Sequence, residues 1–187
     1  MVVIPSPPRC VIADDLRASR ELLRAWVSEC GYVCTAVTNG REAWNAVHRV
    51  HPQLIISDIE MPVASGLDLL CSLRRHAAND LHSIPVIVIS SLRDDDIRSF
   101  IEEVGIGEVG GTFFMAKPLS KSVTQRVVRG LLESTSLPNE AGLPNEAGLK
   151  HEAGLWKQAE SREPVKQISP TLRRLYREVL ENGPRFR

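Results

Sequence analysis

Short apolar runs alternate with amphipathic stretches along the first 133 residues. Apolar runs predict β-strands at 9–14, 32–37, 53–58, 84–90 and 112–117. Stretches with apolar residues at helical spacing follow them, at 16–30, 41–50, 66–76, 94–104 and 120–134. This strict alternation of strand and helix predicts an α/β fold with a parallel sheet that is covered by helices on both faces.

Two of these helices have well-marked faces and ends. The helix at 16–30 ends before Gly31, and its predicted apolar face consists of Leu22, Leu23, Trp26, Val27 and Cys30. The last helix has Ser120 as its predicted N-cap, and its predicted apolar face consists of Val123, Val127 and Leu131. We therefore expect both helices to pack on the sheet through these residues.

The character of the sequence changes after residue 134. Three imperfect copies of a short unit, each with Glu-Ala-Gly-Leu, predict a flexible linker over 134–167; a helix docked on the domain is the alternative. Ser169, Pro170 and Gly183 then delimit an amphipathic helix at 168–182. The predicted organisation is a domain at 9–133, a linker and a terminal helix.

Composition places this chain among ordinary globular proteins. It has 187 residues, 43% of them hydrophobic, and its 23 basic and 23 acidic side chains give zero net charge. No apolar run approaches the roughly 20 residues that a membrane helix needs, and the first ten residues are unlike a secretory signal. The four cysteines lack paired metal-ligand spacing and suit reduced thiols. We expect a cytoplasmic protein without a membrane partner.

Polar residues stand where the predicted strands end. They are Asp14, Asp15, Asp58, Ser90 and Lys117. Ligands of parallel α/β sheets bind at the carboxyl ends of the strands. Carboxylates gathered there repel one another unless a cation neutralises them, and oxygen-only ligands favour Mg²⁺. A hydroxyl and an ammonium group suit the oxygens of a phosphoryl group, which an aspartate can accept as an acyl phosphate.

Each of these residues also has a structural interpretation. Asp58 and Ser90 are typical turn residues, and Asp14 with Asp15 could cap the first helix. Lys117 could be a solvated lysine. The combination of five such residues at four strand ends favours phosphoryl chemistry on Asp58 with Mg²⁺ held beside it.

Four motifs give the chain a family resemblance. "VIADD", "LIISDIEMP…GLDLL", "PVIVISS" and "FFMAKP" occur in this order. With them, residues 9 to about 133 resemble the receiver domain of two-component response regulators. The resemblance implies a doubly wound, flavodoxin-like sheet of five parallel strands in the order 2-1-3-4-5.

The resemblance also implies a phospho-acceptor and a metal site. Asp58 would take a phosphoryl group from a phosphohistidine on a sensor histidine kinase or a phosphotransfer protein. Asp15 would coordinate Mg²⁺ directly, Asp14 would act mainly through a bound water, and the backbone carbonyl of Glu60 would be a further ligand.

The resemblance also implies a conformational switch that involves three further residues. Ser90 and Lys117 would contact the phosphoryl oxygens, and Phe114 would swing inward as the Ser90 hydroxyl moves, although core packing also explains Phe114. The signal would change the surface of the fourth helix, fifth strand and fifth helix, which could also form a homodimer. The stretch 104–112, in the region of this implied readout, is longer and richer in glycine than in typical receivers.

Other classes of protein fit less well. A phosphatase of the haloacid dehalogenase type needs a second aspartate and a hydroxyl where this chain has Glu60 and Pro62, and no Gly-rich phosphate loop follows a strand. We therefore expect no turnover of a small molecule. A receiver-like interaction module that is never phosphorylated is the remaining alternative.

The last question is which molecule the protein contacts to pass on its signal. The residues after 134 are too few for a winged-helix domain, so we expect a stand-alone receiver that contacts an unknown downstream protein and not nucleic acid. The alternative is a transcriptional regulator whose basic helix at 168–182, with Arg173, Arg174 and Arg177, contacts DNA.

Overall fold

The fold is described from a computed structural model, in which residues 6–76, 79–91 and 111–136 are placed. Within them, five parallel strands form one sheet in the order β2-β1-β3-β4-β5. The strands are β1 (Arg9–Ala13), β2 (Val33–Val37), β3 (Leu54–Asp58), β4 (Val86–Ser90) and β5 (Thr112–Ala116). The expected parallel α/β sheet and its strand order are confirmed.

Helices follow the strands as the periodicity predicts. They are α1 (Arg17–Ser28), α2 (Gly40–Val50), α3 (Gly66–Arg74), the short α4 (Asn79–His82) and α5 (Lys121–Ser136). The sequence pattern predicted no helix at Asn79–His82, because the predicted third helix ends at residue 76. The predicted helix at 94–104, the linker at 134–167 beyond residue 136 and the terminal helix at 168–182 lie outside the described residues.

The sheet separates two apolar clusters because successive side chains of a strand point to opposite faces. Val11 of β1 and Ile55 of β3 pack with α2 and α3 on one face. Ile12 and Ile56 pack with α1 and α5 on the other face. β1 and β3 are therefore covered on both sides, which explains why their sequences read as continuous apolar runs.

The structure corrects two residues of the predicted helix faces. Leu22 is 52% exposed and Val123 is 40% exposed, whereas both were expected to face the sheet. In α1 the buried positions are Leu23 and Val27, and Leu22 lies about 100° from Leu23 around the helix axis. In α5 Thr124 and Val128 are fully buried, so the face that packs is shifted by one position.

The predicted ends of these helices agree with the structure. Gly31 has a φ of +93°, a conformation that favours glycine, and its N–H donates to the carbonyl of Ser28. Ser120 precedes α5, and its carbonyl accepts from the N–H of Thr124 at 2.9 Å. Among residues 6–76, 79–91 and 111–136, no helix has the length and apolar character needed to cross a membrane.

Candidate functional site

β3 delivers Asp58 to the carboxyl edge of the sheet. Every residue of β3 is buried, and Asp58, its last residue, is only 4% exposed. Asp58 pairs with Ile89 in the register of β4, and the next N–H, of Ile59, donates to the carbonyl of Ile89 at 3.0 Å. The ladder therefore holds the backbone on both sides of the carboxylate.

The turn after Asp58 is fixed by the start of α3. Ser65 and Asp68 form a reciprocal capping box, in which the Ser65 hydroxyl accepts from the N–H of Asp68 and the Asp68 carboxylate accepts from the N–H of Ser65. A Cβ on Gly66 would overlap the carbonyl oxygen of Asp58. No role was predicted for Gly66, although it lies in the motif "GLDLL" and follows a capping serine.

Asp14 is held rigidly where β1 leads into α1. Its side chain is fully buried; one carboxylate oxygen accepts from the N–H of Leu16 at 2.8 Å and the other from the hydroxyl of Ser19 at 2.6 Å. The guanidinium of Arg20 donates to the backbone carbonyls of Asp14 and Asp15, at 2.6 and 2.8 Å. Sequence reasoning missed Ser19 and Arg20, because only the geometry of the turn brings them to this point.

Asp14, Asp15 and Asp58 come together at this edge. One carboxylate oxygen from each lies within 4.8 Å of the other two. Asp15 is exposed while the other two acids are buried, so solvent reaches the group from one side. Oxygen donors of this kind fit a hard divalent ion that keeps several of its waters, and the group could hold Mg²⁺.

Lys117 brings positive charge to the same group. Its ammonium lies 2.7 Å from a carboxylate oxygen of Asp58 and 3.5 Å from one of Asp14. The position of Lys117 follows from the pairing of β4 with β5, because its N–H donates to the carbonyl of Ser90 at 2.8 Å. Lys117 therefore forms ion pairs with two buried acids, and it is not the solvated lysine that the structural interpretation allowed.

Burial and charge oppose each other at Asp58. Burial raises the pKa of Asp58 above its ordinary value, and the charge of Asp14 adds to this, while Lys117 and the N–H of Glu60 counteract it. Burial tends to lower the pKa of Lys117, but its hydrogen bond and attraction to Asp58 raise it overall. The ammonium therefore stays charged at neutral pH, and Asp58 gives up its proton less readily than an exposed aspartate.

The remaining predicted residues lie around this centre. Ser90 is the last residue of β4, the strand beside β3, and it is 2% exposed. Phe114 lies in β5, three residues before Lys117, and packs half-buried against the cluster under α2 and α3. Glu60 is exposed two residues after Asp58. The structure thus joins the three aspartates and Lys117 directly, and places Ser90 at the same edge of the sheet.

A family model described as "Response regulator receiver domain" matches residues 10–129, which is more than half of the chain. The chain belongs to the response regulator receiver family. The matched region begins in β1 and ends within α5, so it contains all the residues of the candidate site.

Curated relatives match over the same region. The chain is 32% identical over 136 residues to the response regulator MprA of Mycolicibacterium vanbaalenii, which covers 73% of this chain and 55% of that protein. It is 29% identical over 132 residues to a 3',5'-cyclic-nucleotide phosphodiesterase, regA, of Dictyostelium discoideum, covering 70% of this chain and 16% of the relative. The chain thus matches only part of each relative's length, so their activities do not transfer directly.

Solved structures show the same fold. A signal receiver domain of a histidine kinase from Syntrophus aciditrophicus is 31% identical, with a TM-score of 0.59, and the match covers 73% of this chain and 98% of that domain. The chemotaxis response regulator CheY4 of Vibrio cholerae has a TM-score of 0.58 at 19% identity, over 67% of this chain and 99% of that protein. At that identity the likeness to CheY4 concerns the fold alone.

Proposed function

We propose that Asp58 accepts a phosphoryl group from the phosphohistidine of a histidine kinase or a phosphotransfer protein, in a reaction that needs Mg²⁺. The observation that carries the proposal is the gathering of Asp14, Asp15, Asp58 and Lys117 at the carboxyl edge of a receiver-family sheet. Asp58 is the acid of this group with the ammonium of Lys117 at 2.7 Å, so charge is available where a phosphoryl oxygen would lie.

The proposed transfer is a displacement at phosphorus. A carboxylate oxygen of Asp58 forms a bond to phosphorus as the phosphorus–nitrogen bond to the donor imidazole breaks, and the released imidazole nitrogen takes a proton. The product is an acyl phosphate on Asp58. Lys117, which is held by β5, pairs with the phosphoryl oxygens, and Mg²⁺ supplies the further positive charge that this transfer needs.

The three aspartates would have different roles in holding the metal ion. Asp15 is exposed and would be a direct ligand, together with Asp58 and the backbone carbonyl of Glu60. Asp14 accepts from Leu16 and Ser19 through its two carboxylate oxygens, which supports a role through a bound water. Ser19 and Arg20 would then act as positioning residues for this turn.

The proposed readout is a local rearrangement at β4 and β5. The Ser90 hydroxyl would turn toward the phosphoryl group, and Phe114 would follow it inward from its half-buried position on β5. We assign the readout to a protein partner.

The receiver would span 9–133, with a linker at 134–167 and a helix at 168–182. The protein would work in the cytoplasm, with no turnover beyond its own phosphorylation and dephosphorylation.

Intact-mass measurement after exposure to acetyl phosphate and Mg²⁺ tests the phospho-acceptor. Wild type should gain one phosphoryl group, Asp58→Asn should gain none, and wild type with a chelator should gain none. Asp80→Asn is the matched control, because Asp80 is an exposed acid on α4 outside the site. Phosphorylation of Asp58→Asn at the wild-type level would refute the proposal.

A second candidate output is contact with DNA through the terminal segment. Arg173, Arg174 and Arg177 give this segment local positive charge. A gel shift at low salt separates the two outputs, because phosphate contacts weaken steeply as salt rises. Binding that is lost on deletion of 168–182 would favour DNA, and the absence of binding at low salt would leave the protein partner.

A further inference from the structure

A pair of thiols lies on the sheet face that packs against α1 and α5. Cys10 of β1 and Cys34 of β2 are register partners in neighbouring parallel strands, so their side chains point to the same face. Both belong to the apolar cluster on that face. Neighbouring strands lie about 4.8 Å apart, which is within the span of about 4.4–6.8 Å between the Cα atoms of a disulfide.

The two thiols differ in exposure. β2 is an edge strand, and Cys34 is half-buried on it. Cys10 is fully buried beside it. The hydroxyl of Ser28 donates to the sulfur of Cys34 at 3.6 Å. Cys34 is therefore the less buried thiol of the pair, with a hydroxyl donor and a second thiol beside it.

The same neighbours favour the thiolate of Cys34. The neighbouring Cys10 thiol, with smaller contributions from Ser28 and the charge of Arg24, outweighs burial and lowers the pKa of Cys34 to about 7. Burial raises the pKa of Cys10 well above its ordinary value, so Cys10 keeps its proton. A thiolate is the reactive form of cysteine, and at neutral pH Cys34 is the member of the pair that reacts.

We propose that Cys34 is an oxidation site that reacts with hydroperoxides and that Cys10 resolves the product into an intramolecular disulfide. In the first step the Cys34 thiolate takes the terminal oxygen of the hydroperoxide, the O–O bond breaks, and a sulfenic acid and an alkoxide or hydroxide ion result. In the second step the Cys10 sulfur attacks the sulfenic sulfur as its proton passes to the sulfenic oxygen. The S–O bond breaks, the Cys10 proton leaves with the oxygen as water, and both sulfurs end one electron more oxidised than in the thiols.

This thiol pair is separate from the phosphoryl site. Cys10 precedes Asp14 by four residues along an extended strand, a separation of about 13 Å. Oxidation would link β1 to the edge strand β2 and leave Asp14, Asp58 and Lys117 in place. The inference is therefore independent of the proposed phosphorylation.

Peptide mapping after treatment with hydrogen peroxide tests the proposal. The full chain is oxidised, denatured, alkylated with N-ethylmaleimide and digested without reduction. Wild type should give a crosslinked peptide pair that contains Cys10 and Cys34, while Cys30 and Cys71 remain alkylated. Cys34→Ser should give no crosslink, and Cys10→Ser should hold a sulfenic acid at Cys34 that dimedone captures.

Two controls keep the test decisive if a variant folds poorly. Cys71→Ser changes a fully buried thiol on the opposite face and should crosslink as wild type does. Native wild type should alkylate at Cys34 at least about tenfold faster than at Cys71 at neutral pH, because burial raises the pKa of Cys71 to about 12. Alkylation of all four cysteines after peroxide, or a crosslink between any other pair, would overturn the proposal.

Discussion

At the scale of single residues, the site depends on a carboxylate held where burial disfavours its charge. Asp58 lies at the end of a fully buried strand beside the buried acid Asp14, and Lys117 supplies a single positive charge to both. The raised pKa of Asp58 means that its charged form destabilises the folded chain in the absence of a metal ion. Function and stability are therefore opposed at this residue.

Replacement of Asp58 by Asn should raise the free energy of unfolding in magnesium-free buffer at neutral pH. The folded pKa lies above the unfolded value, so the wild type loses stability as pH rises through the folded pKa, and the variant avoids this loss. The advantage should be small near about pH 3, where both states of the wild type are mostly protonated, and larger at about pH 7. Urea unfolding at several pH values measures it.

Asp80→Asn is the matched control for this stability measurement, since Asp80 is exposed on α4 and should show no comparable gain. A variant Asp58→Asn that is less stable than wild type at neutral pH, or equally shifted at every pH, would show that the charge of Asp58 is not the destabilising feature.

At the scale of elements, the start of α3 supports the turn that carries Asp58. The capping box of Ser65 and Asp68 sets the first turn of α3, and Gly66 lets this turn contact the backbone of Asp58. Periodicity predicted the helix but not this contact, because a missing side chain leaves no signal in an apolar pattern. Leu22 and Val123 were wrongly predicted to face the sheet, because several adjacent apolar residues make the centre of a helix face ambiguous by one position.

Gly66→Ala should destabilise the chain by about 2–4 kcal/mol, because its Cβ would overlap a backbone carbonyl that cannot easily move. It should also slow phosphorylation of Asp58 through displacement of the turn. Gly130→Ala is the matched control, since a Cβ at this position in α5 meets nothing within 4 Å. It should be neutral or stabilise by up to about 1 kcal/mol in urea unfolding.

If Gly66→Ala proved as stable as the Gly130→Ala control, the close contact between α3 and the end of β3 would not constrain the site. The hydrogen bonds of the β-ladder alone would then position Asp58.

At the scale of the whole molecule, strand order brings residues far apart in the chain to one edge. Asp14 follows β1, Asp58 ends β3 and Lys117 follows β5, and strand alternation alone was enough to place these residues at the same edge of a parallel sheet. The strand order came from the family resemblance. The contacts of Ser19 and Arg20 could not be predicted, because they depend on the path of the turn after β1 and not on a periodic pattern.

Binding of Mg²⁺ should stabilise the folded chain, because only the folded sheet brings the three aspartates within reach of one ion. At a free concentration of ten times the dissociation constant, the gain should be about 1.4 kcal/mol for one site. Thermal unfolding with and without a chelator measures it. Asp15→Asn should reduce the gain, whereas Asp80→Asn should keep it, and equal gains in wild type and Asp15→Asn would exclude Asp15 as a ligand.

The most direct test of phosphorylation at Asp58 locates the acyl phosphate itself. After treatment with acetyl phosphate and Mg²⁺, reduction with borohydride converts a phosphorylated aspartate to homoserine, which peptide mass spectrometry identifies by position. We expect this conversion at Asp58 and not at Asp14 or Asp15. Conversion at either of those residues, or none at Asp58 in chain that has gained a phosphoryl group, would contradict it.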